Sequence, residues 1–217
     1  MPNDCLPSNQ IEKIVPARAN IAAMNVPLRK SWTQAEFFAW AASQEVRFEF
    51  DGFRPVAMTG GTAGHAVILR NLHRALDVRL RAGKCQPLGP DAGVATIGSA
   101  VRYPDALVTC SKFDRGAMNI PGVVAVFEVL STGTSRTDRI VKVREYAAVA
   151  SIRRYVIVES TGIGLTVMER EQPHETWRLT TLTSDDILHM PEIDIEIPVT
   201  EFYEDITFDD MEQSVTG

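Results

Sequence analysis

Gly122-Val123-Val124-Ala125-Val126-Phe127-Glu128-Val129-Leu130 is an apolar run interrupted by one carboxylate. β-Branched and aromatic residues crowded this way predict a strand buried on both faces. A lone buried carboxylate is costly unless a metal, a cation or hydrogen bonds compensate it. Upstream, Tyr103-Pro104-Asp105 opens a second short apolar stretch, Ala106-Leu107-Val108. Downstream, Ser131-Thr132-Gly133-Thr134-Ser135 predicts a turn and helix cap rather than a nucleophile site, since no histidine is placed to pair with it. The helix that follows carries Asp138, Lys142 and Tyr146 at four-residue intervals, hence on one face. Neighbouring strands lie about 4.8 Å apart, so Asp105 and Glu128 can share one cation if they face the same way. Mg²⁺ is usually held by one or two carboxylates with waters completing the shell, and the Val129 carbonyl is a further candidate ligand. With Lys142 to orient a bound water and offset phosphate charge, the set can support hydrolysis.

The surrounding pattern predicts an α/β mixed sheet with helices on its faces. Ser31 or Thr33 can cap a first helix, with Glu36 three residues after Thr33 and an apolar face of Phe37, Phe38, Trp40 and Ala41. Asp51-Gly52 between residues 46–50 and 53–59 predicts a hairpin. Residues 60–64 lack the Lys-Ser/Thr of a phosphate-binding loop and are read as a plain loop. A long helix is expected over 65–81, its apolar stripe backed by Arg70, Arg74, Arg79 and Arg81. Strands are expected at 86–88, 94–97, 101–109, 155–158, 167–170, 177–182 and 193–197, a helix over 136–149, and a helical turn near Phe202. Residues 1–29, rich in Pro and Asn, predict an irregular tail before a single domain at 30–217; Met24 is an alternative start.

Bulk properties fit an ordinary globular domain: 217 residues, 45% hydrophobic and 23% charged. No apolar run approaches the ~20 residues of a membrane span. Cys5, Cys85 and Cys110 are scattered and odd in number, which argues against a disulfide framework or a zinc site and for a reducing cytoplasm. A net charge of −6 counts against a dedicated nucleic-acid binder. A local basic face can still suffice, and Arg136, Arg139, Lys142, Arg144, Arg153 and Arg154 together with the arginines of the 65–81 helix are its candidates.

The ordered set Thr33-Gln34-Ala35-Glu36-Phe37, Arg47-Phe48-Glu49-Phe50-Asp51-Gly52, Tyr103-Pro104-Asp105, Phe127-Glu128-Val129-Leu130-Ser131, the Asp138/Lys142/Tyr146 helix and Arg154-Tyr155-Val156-Ile157-Val158 resembles the Uma-type restriction-endonuclease family of the PD-(D/E)XK nuclease superfamily. The resemblance spans residues 28–197. It implies a restriction-endonuclease-like mixed β-sheet core flanked by helices, with an N-terminal helix and hairpin. It also implies Mg²⁺- or Mn²⁺-dependent hydrolysis of DNA phosphodiester bonds, with Asp105 and Glu128 as metal ligands and Glu49 as an additional site carboxylate. The lysine that the superfamily carries two residues after the acid is replaced by Leu130, so Lys142 has to supply it from the next helix.

Structural uses compete at each position. Asp105 can serve backbone donors after Pro104. Glu128 can form a buried pair with Lys142 or Arg136, Lys142 can be a solvated helix residue, and Glu49 can belong only to the hairpin. His65 reads first as a helix-start residue, and the resemblance implies a place near the site mouth. The competing whole-protein readings are a catalytically inactive nuclease-fold module that binds nucleic acid or a protein partner, and a nuclease acting on RNA. A homodimer is carried as an expectation because many nucleases that cut both strands pair two active sites.

Overall fold

The computed structural model describes residues 32–58, 60–130 and 136–208. The expected tail, Met24 and the Ser131–Ser135 turn lie outside them.

Helix α1 (Gln34–Ala41) starts at the expected capping box: the Thr33 hydroxyl accepts from the Glu36 amide at 3.2 Å, and the Glu36 carboxylate accepts from the Thr33 amide at 2.9 Å. The hairpin follows as β1 (Phe48–Phe50) and β2 (Pro55–Ala57), with shorter arms than expected. Helix α2 (Ala63–Leu80) is capped by Thr62 and buries Ile68, Leu72, Ala75 and Leu76. Each of the Ile and Leu side chains removed from water contributes about 1.5–3 kcal/mol.

Then come β3 (Gln86–Leu88), β4 (Val94–Ala95), β5 (Val101–Arg102), β6 (Ala106–Thr109) and β7 (Val123–Val129). The single strand expected over 101–109 is broken at Tyr103-Pro104-Asp105. Proline has no amide to donate to a ladder, and the two pieces join different sheets. The helix after β7 begins as a π-helical stretch, Thr137–Lys142, and continues as α3 (Val143–Ala147). The chain ends with β8 (Arg154–Val158), β9 (Leu165–Glu169), β10 (Arg178–Leu182), β11 (Ile187–Met190), β12 (Ile195–Pro198) and a 3₁₀ turn, Val199–Tyr203. Strand β11 has no counterpart in the sequence reading.

The main sheet has the order β10-β9-β8-β7-β6-β3, with β7 and β8 parallel and every other pair antiparallel. The π/α3 segment lies in the crossover between the parallel pair, as such a connection requires. One face of the sheet, with Phe127, Val129 and Val156, packs on α2, the β11–β12 hairpin and Phe202. The other, with Val126, Tyr155 and Ile157, packs on Tyr146 and Ile152. A smaller sheet, β2-β1-β5-β4, carries its own cluster of Phe37, Phe50, Val101 and Tyr103. Among the described residues no helix is long and apolar enough to cross a membrane.

Two expectations are corrected here. Cys85 and Cys110 form a disulfide despite a separation of 25 residues. The pairing of Gln86 with Thr109 on β3 and β6 brings the flanking cysteines opposite each other, and that register is invisible in cysteine spacing. The inference of a reducing compartment loses its footing with it. The arginines of α2 are the second case. Arg70 pairs with Asp205 at 2.8 Å, Arg74 with Glu204, and Arg79 with both carboxylate oxygens of Glu201 at 2.7 and 2.9 Å. Buried Asn71 donates to the carbonyls of Phe202 and Glu204. These arginines fasten the acidic segment after β12 to α2, so their charge is largely neutralised within the chain. Arg139 and Arg154 are likewise matched, by Glu159 and by Glu169 with Glu192.

Candidate active site

Strand register sets the two predicted metal ligands side by side. Ala106 pairs with Phe127, and one step further along the antiparallel pair Asp105 stands opposite Glu128. Directly opposite residues share a face, and this face is the one covered by the π/α3 segment. The Asp105 Oδ2 accepts the Val129 amide at 2.7 Å, so the backbone-satisfying use weighed for Asp105 is present.

Glu128 is 5% exposed. Its Oε1 accepts from the Lys142 Nζ at 2.8 Å and from the Tyr146 hydroxyl at 3.0 Å. The anticipated pair with Lys142 therefore exists. Burial pushes the Glu128 carboxyl up to about 8; Lys142 opposes the shift, and Asp105, Asp138 and Glu49 add to it.

Lys142 is no solvated helix residue: it is 5% exposed and its Nζ lies 2.8 Å from Glu128, 3.1 Å from Asp138 and 3.3 Å from Glu49. Burial alone would lower its pKa, but Glu128, Glu49 and Asp138 outweigh that and hold the ammonium above its usual value. The π-helical turn brings Asp138 and Lys142 inward together, and such turns recur at functional sites. Glu49 comes from β1. Its Oε2 accepts from Arg102 at 3.0 Å and its Oε1 from the Tyr103 amide at 3.2 Å. Arg102 is buried and also grips Glu145 through two hydrogen bonds of 2.5 and 2.7 Å. Glu49 is thus fully engaged, a brace for Lys142 and Arg102 more than an open donor.

The structure brings Glu49, Asp105, Glu128 and Lys142 to one cavity of about 500 Å³. Two further residues sit there. Asp138 is 1% exposed, and among the described residues neither carboxylate oxygen has a hydrogen-bond partner; its contact with Lys142 is an ion pair only. His65 has its Nε2 3.6 Å from the Asp105 Oδ2. The interaction with Asp105 raises its pKa against the opposing effect of burial. The Thr62 cap fixes the first turn of α2, and a Cβ on Gly61 would lie 2.6 Å from the imidazole, so only glycine leaves the ring its place. The family resemblance put His65 near the site mouth, although the helix-start use was the preferred reading; the structure places it in the cavity. The four-residue spacing of Asp138 was visible, but not its carboxylate's lack of a hydrogen bond.

The cavity wall carries five carboxylates, Glu49, Asp51, Asp105, Glu128 and Asp138, against Arg102 and Lys142. Surplus buried acid, including a carboxylate with an ion pair but no hydrogen bond, is the donor chemistry of a hard divalent cation. Among the described residues no three His, Cys, Asp or Glu side chains converge on a single point to enclose a metal; the Lys142 ammonium stands between three of the acids. A two-carboxylate set, Asp105 with Glu128, still suits Mg²⁺, which keeps several of its waters.

The surplus charge gives a stability prediction. The Glu128 pKa is raised from an ordinary 4.5 to about 8. Its penalty is absent below pH 4.5, grows as pH rises between these values, and is constant above. Glu128→Gln keeps the shape and an acceptor for Lys142 and Tyr146. In chelator, the variant is expected to match the parent in thermal melts near pH 4.5 and to melt higher at pH 8.5. A gap that does not widen with pH contradicts this account of the pocket.

Residues 34–200 match the family model described as "Uma2: Putative restriction endonuclease". The uncharacterized protein slr1290 of Synechocystis sp. is 27% identical over 175 residues, covering 80% of this chain and 92% of that protein. Among solved structures, a putative nuclease belonging to DUF820 from Anabaena variabilis superposes with a TM-score of 0.60 at 12% identity. It covers 79% of this chain and 97% of its own; at that identity the likeness is one of fold.

Proposed function

Because the chain belongs to the Uma2 family of putative restriction endonucleases, a nuclease-type hydrolase is the general activity its membership supports, and we propose that it is a divalent-metal-dependent endonuclease hydrolysing DNA phosphodiester bonds. The observation that carries this reading is the convergence of Glu128, Glu49 and Asp138 on a buried lysine, with Asp105 lining the same cavity. Asp105 and Glu128 are the proposed ligands of Mg²⁺ or Mn²⁺. When bound, such an ion lowers the pKa of an attacking water and offsets charge at the phosphate. The Val129 amide and His65 hold the Asp105 Oδ2, leaving Oδ1 for the cation. Tyr146 and Lys142 hold the Glu128 Oε1, leaving Oε2. Lys142 presents a permanent positive charge to the water and the scissile phosphate, and Glu49 with Asp138 keeps it there.

A second reading is a nuclease-fold module that binds without cutting. The three-carboxylate grip on Lys142 favours it, since an ammonium so held already compensates the acids. Calorimetric titration with Mn²⁺ separates the two. The parent is expected to bind one ion, and Asp105→Asn to lose at least about tenfold in affinity, as metal-site disruptions do. Absence of binding by the parent favours the module. A homodimer is a further proposal carried over from the sequence; light scattering showing a monomer would remove it.

A further inference from the structure

Resting on the nuclease reading, one feature of the site's rim points to the form of its substrate. Tracking a duplex takes free cations spaced along its phosphates. Here Arg70, Arg74, Arg79, Arg47 and Arg139 are all paired with acids of the same chain; among the described residues this leaves Arg81, Arg136, Arg144 and Arg153 of the candidate cations without an ion pair, and the cavity itself is acidic. Its mouth is apolar instead. Val56 on β2 and Val141 on the π-helical stretch line it and are 38% and 42% exposed. Val56 pairs directly with Glu49 in the hairpin, which ties this wall to the site. Three residues beyond that pair, roughly 10 Å of strand rise, the hairpin tip presents Phe53, 76% exposed.

Single exposed apolar side chains are common and need no explanation. Phe53 differs because its turn is built to hold it. The Asp51 Oδ1 accepts both the Phe53 and the Arg54 amides at 2.8 Å, and the Asp51 amide donates to the Arg54 carbonyl at 3.3 Å. Gly52 has φ +91°, and a Cβ there would lie 3.1 Å from the Gly98 carbonyl oxygen. The turn's backbone is thus held by its own hydrogen bonds, which lowers the ordering cost of presenting the Phe53 ring on binding. Beside it, the Arg54 side chain is 75% exposed and, among the described residues, reaches only Asp51, at 3.7 Å.

We propose that the hairpin tip is a nucleic-acid contact in which Phe53 stacks on an unpaired base, with Arg54 at an adjacent phosphate, so that the site takes single-stranded or unwound substrate in preference to intact duplex. Base–aromatic stacking tolerates any sequence because every base has a π face. An acidic pocket with an apolar mouth accepts a strand through its bases better than through its phosphates.

The test is a fluorescence titration with a 2-aminopurine single strand and with the same strand in a duplex, in Ca²⁺ to withhold cleavage. The proteins are the full chain, Phe53→Ala and Phe53→Trp, with circular dichroism confirming that each is folded. The parent is expected to bind the single strand more tightly than the duplex. Affinity should fall only about tenfold between 50 and 200 mM salt, as two or so phosphate contacts dictate. Phe53→Ala should lose roughly 5- to 150-fold on the single strand, and Phe53→Trp should keep the affinity. Undiminished affinity in Phe53→Ala, or tighter duplex binding by the parent, overturns the proposal; the tip would then be a protein contact or an idle exposed residue. Metal-dependent cleavage measured alongside separates the failures. Cleavage that persists with Phe53→Ala binding unchanged overturns the stacking role alone, whereas loss of both binding and cleavage in the parent overturns the nuclease reading as well.

Discussion

Lys142→Met is expected to destabilise the protein by about 3–5 kcal/mol, because it strips the cation from a buried cluster and leaves the acids uncompensated. The lysine lies within 3.3 Å of Glu49, Glu128 and Asp138, and among the described residues Asp138 has no hydrogen bond to fall back on. For a domain of this size that corresponds to a melting temperature lower by roughly 6–20 °C. The Lys142 pKa is held above its ordinary 10.5, so its contribution is fully present below that value and is lost only as pH rises through the raised one. Glu128 modulates it from the other side: burial pushes its carboxyl up to about 8, so it is protonated near pH 5, and the loss should be smaller there than at pH 8. Denaturant titration at the two pH values checks this. A variant as stable as the parent at both would mean that the cluster carries no net strain and that Lys142 is replaceable packing.

Glu128→Gln is the second large effect, on rate instead of stability. Glutamine keeps the volume and the acceptor for Lys142 and Tyr146, so the fold should persist and become more stable at alkaline pH. It removes the charge that the proposed ion needs. Losing several kcal/mol of metal and nucleophile stabilisation lowers a rate by about a thousand-fold or more. The two readouts move in opposite directions, as expected when charge is stored at a site for chemistry and not for stability. A purely structural glutamate would show no such opposition.

Much of this was legible in the sequence because it is carried by local pattern. Glu128 declares itself as the one charge in an apolar strand, Thr33 and Glu36 announce α1, and Asp51-Gly52 announces the hairpin. The four-residue spacing of Asp138, Lys142 and Tyr146 put all three on the buried face. What stayed hidden depends on register and on partners far along the chain. The acids that neutralise Arg70, Arg74 and Arg79 lie more than 120 residues away. Cys85 and Cys110 meet only because β3 pairs with β6. His65 reaches Asp105 from a different element, and no periodicity encodes that approach. The π-helical form of Thr137–Lys142 is likewise invisible in residue spacing, though it helps place two charged groups in the same cavity.

The central claim, that Asp105 and Glu128 support metal-dependent hydrolysis of phosphodiester bonds, is tested most directly by nucleic-acid cleavage. Purified parent and Glu128→Gln, prepared identically, are incubated with supercoiled plasmid and with circular single-stranded DNA in Mg²⁺, in Mn²⁺ and in chelator. Cleavage by the parent alone, with metal and not in chelator, is the predicted result. Equal cleavage by both proteins, or none by a parent shown to bind Mn²⁺, would contradict the assignment.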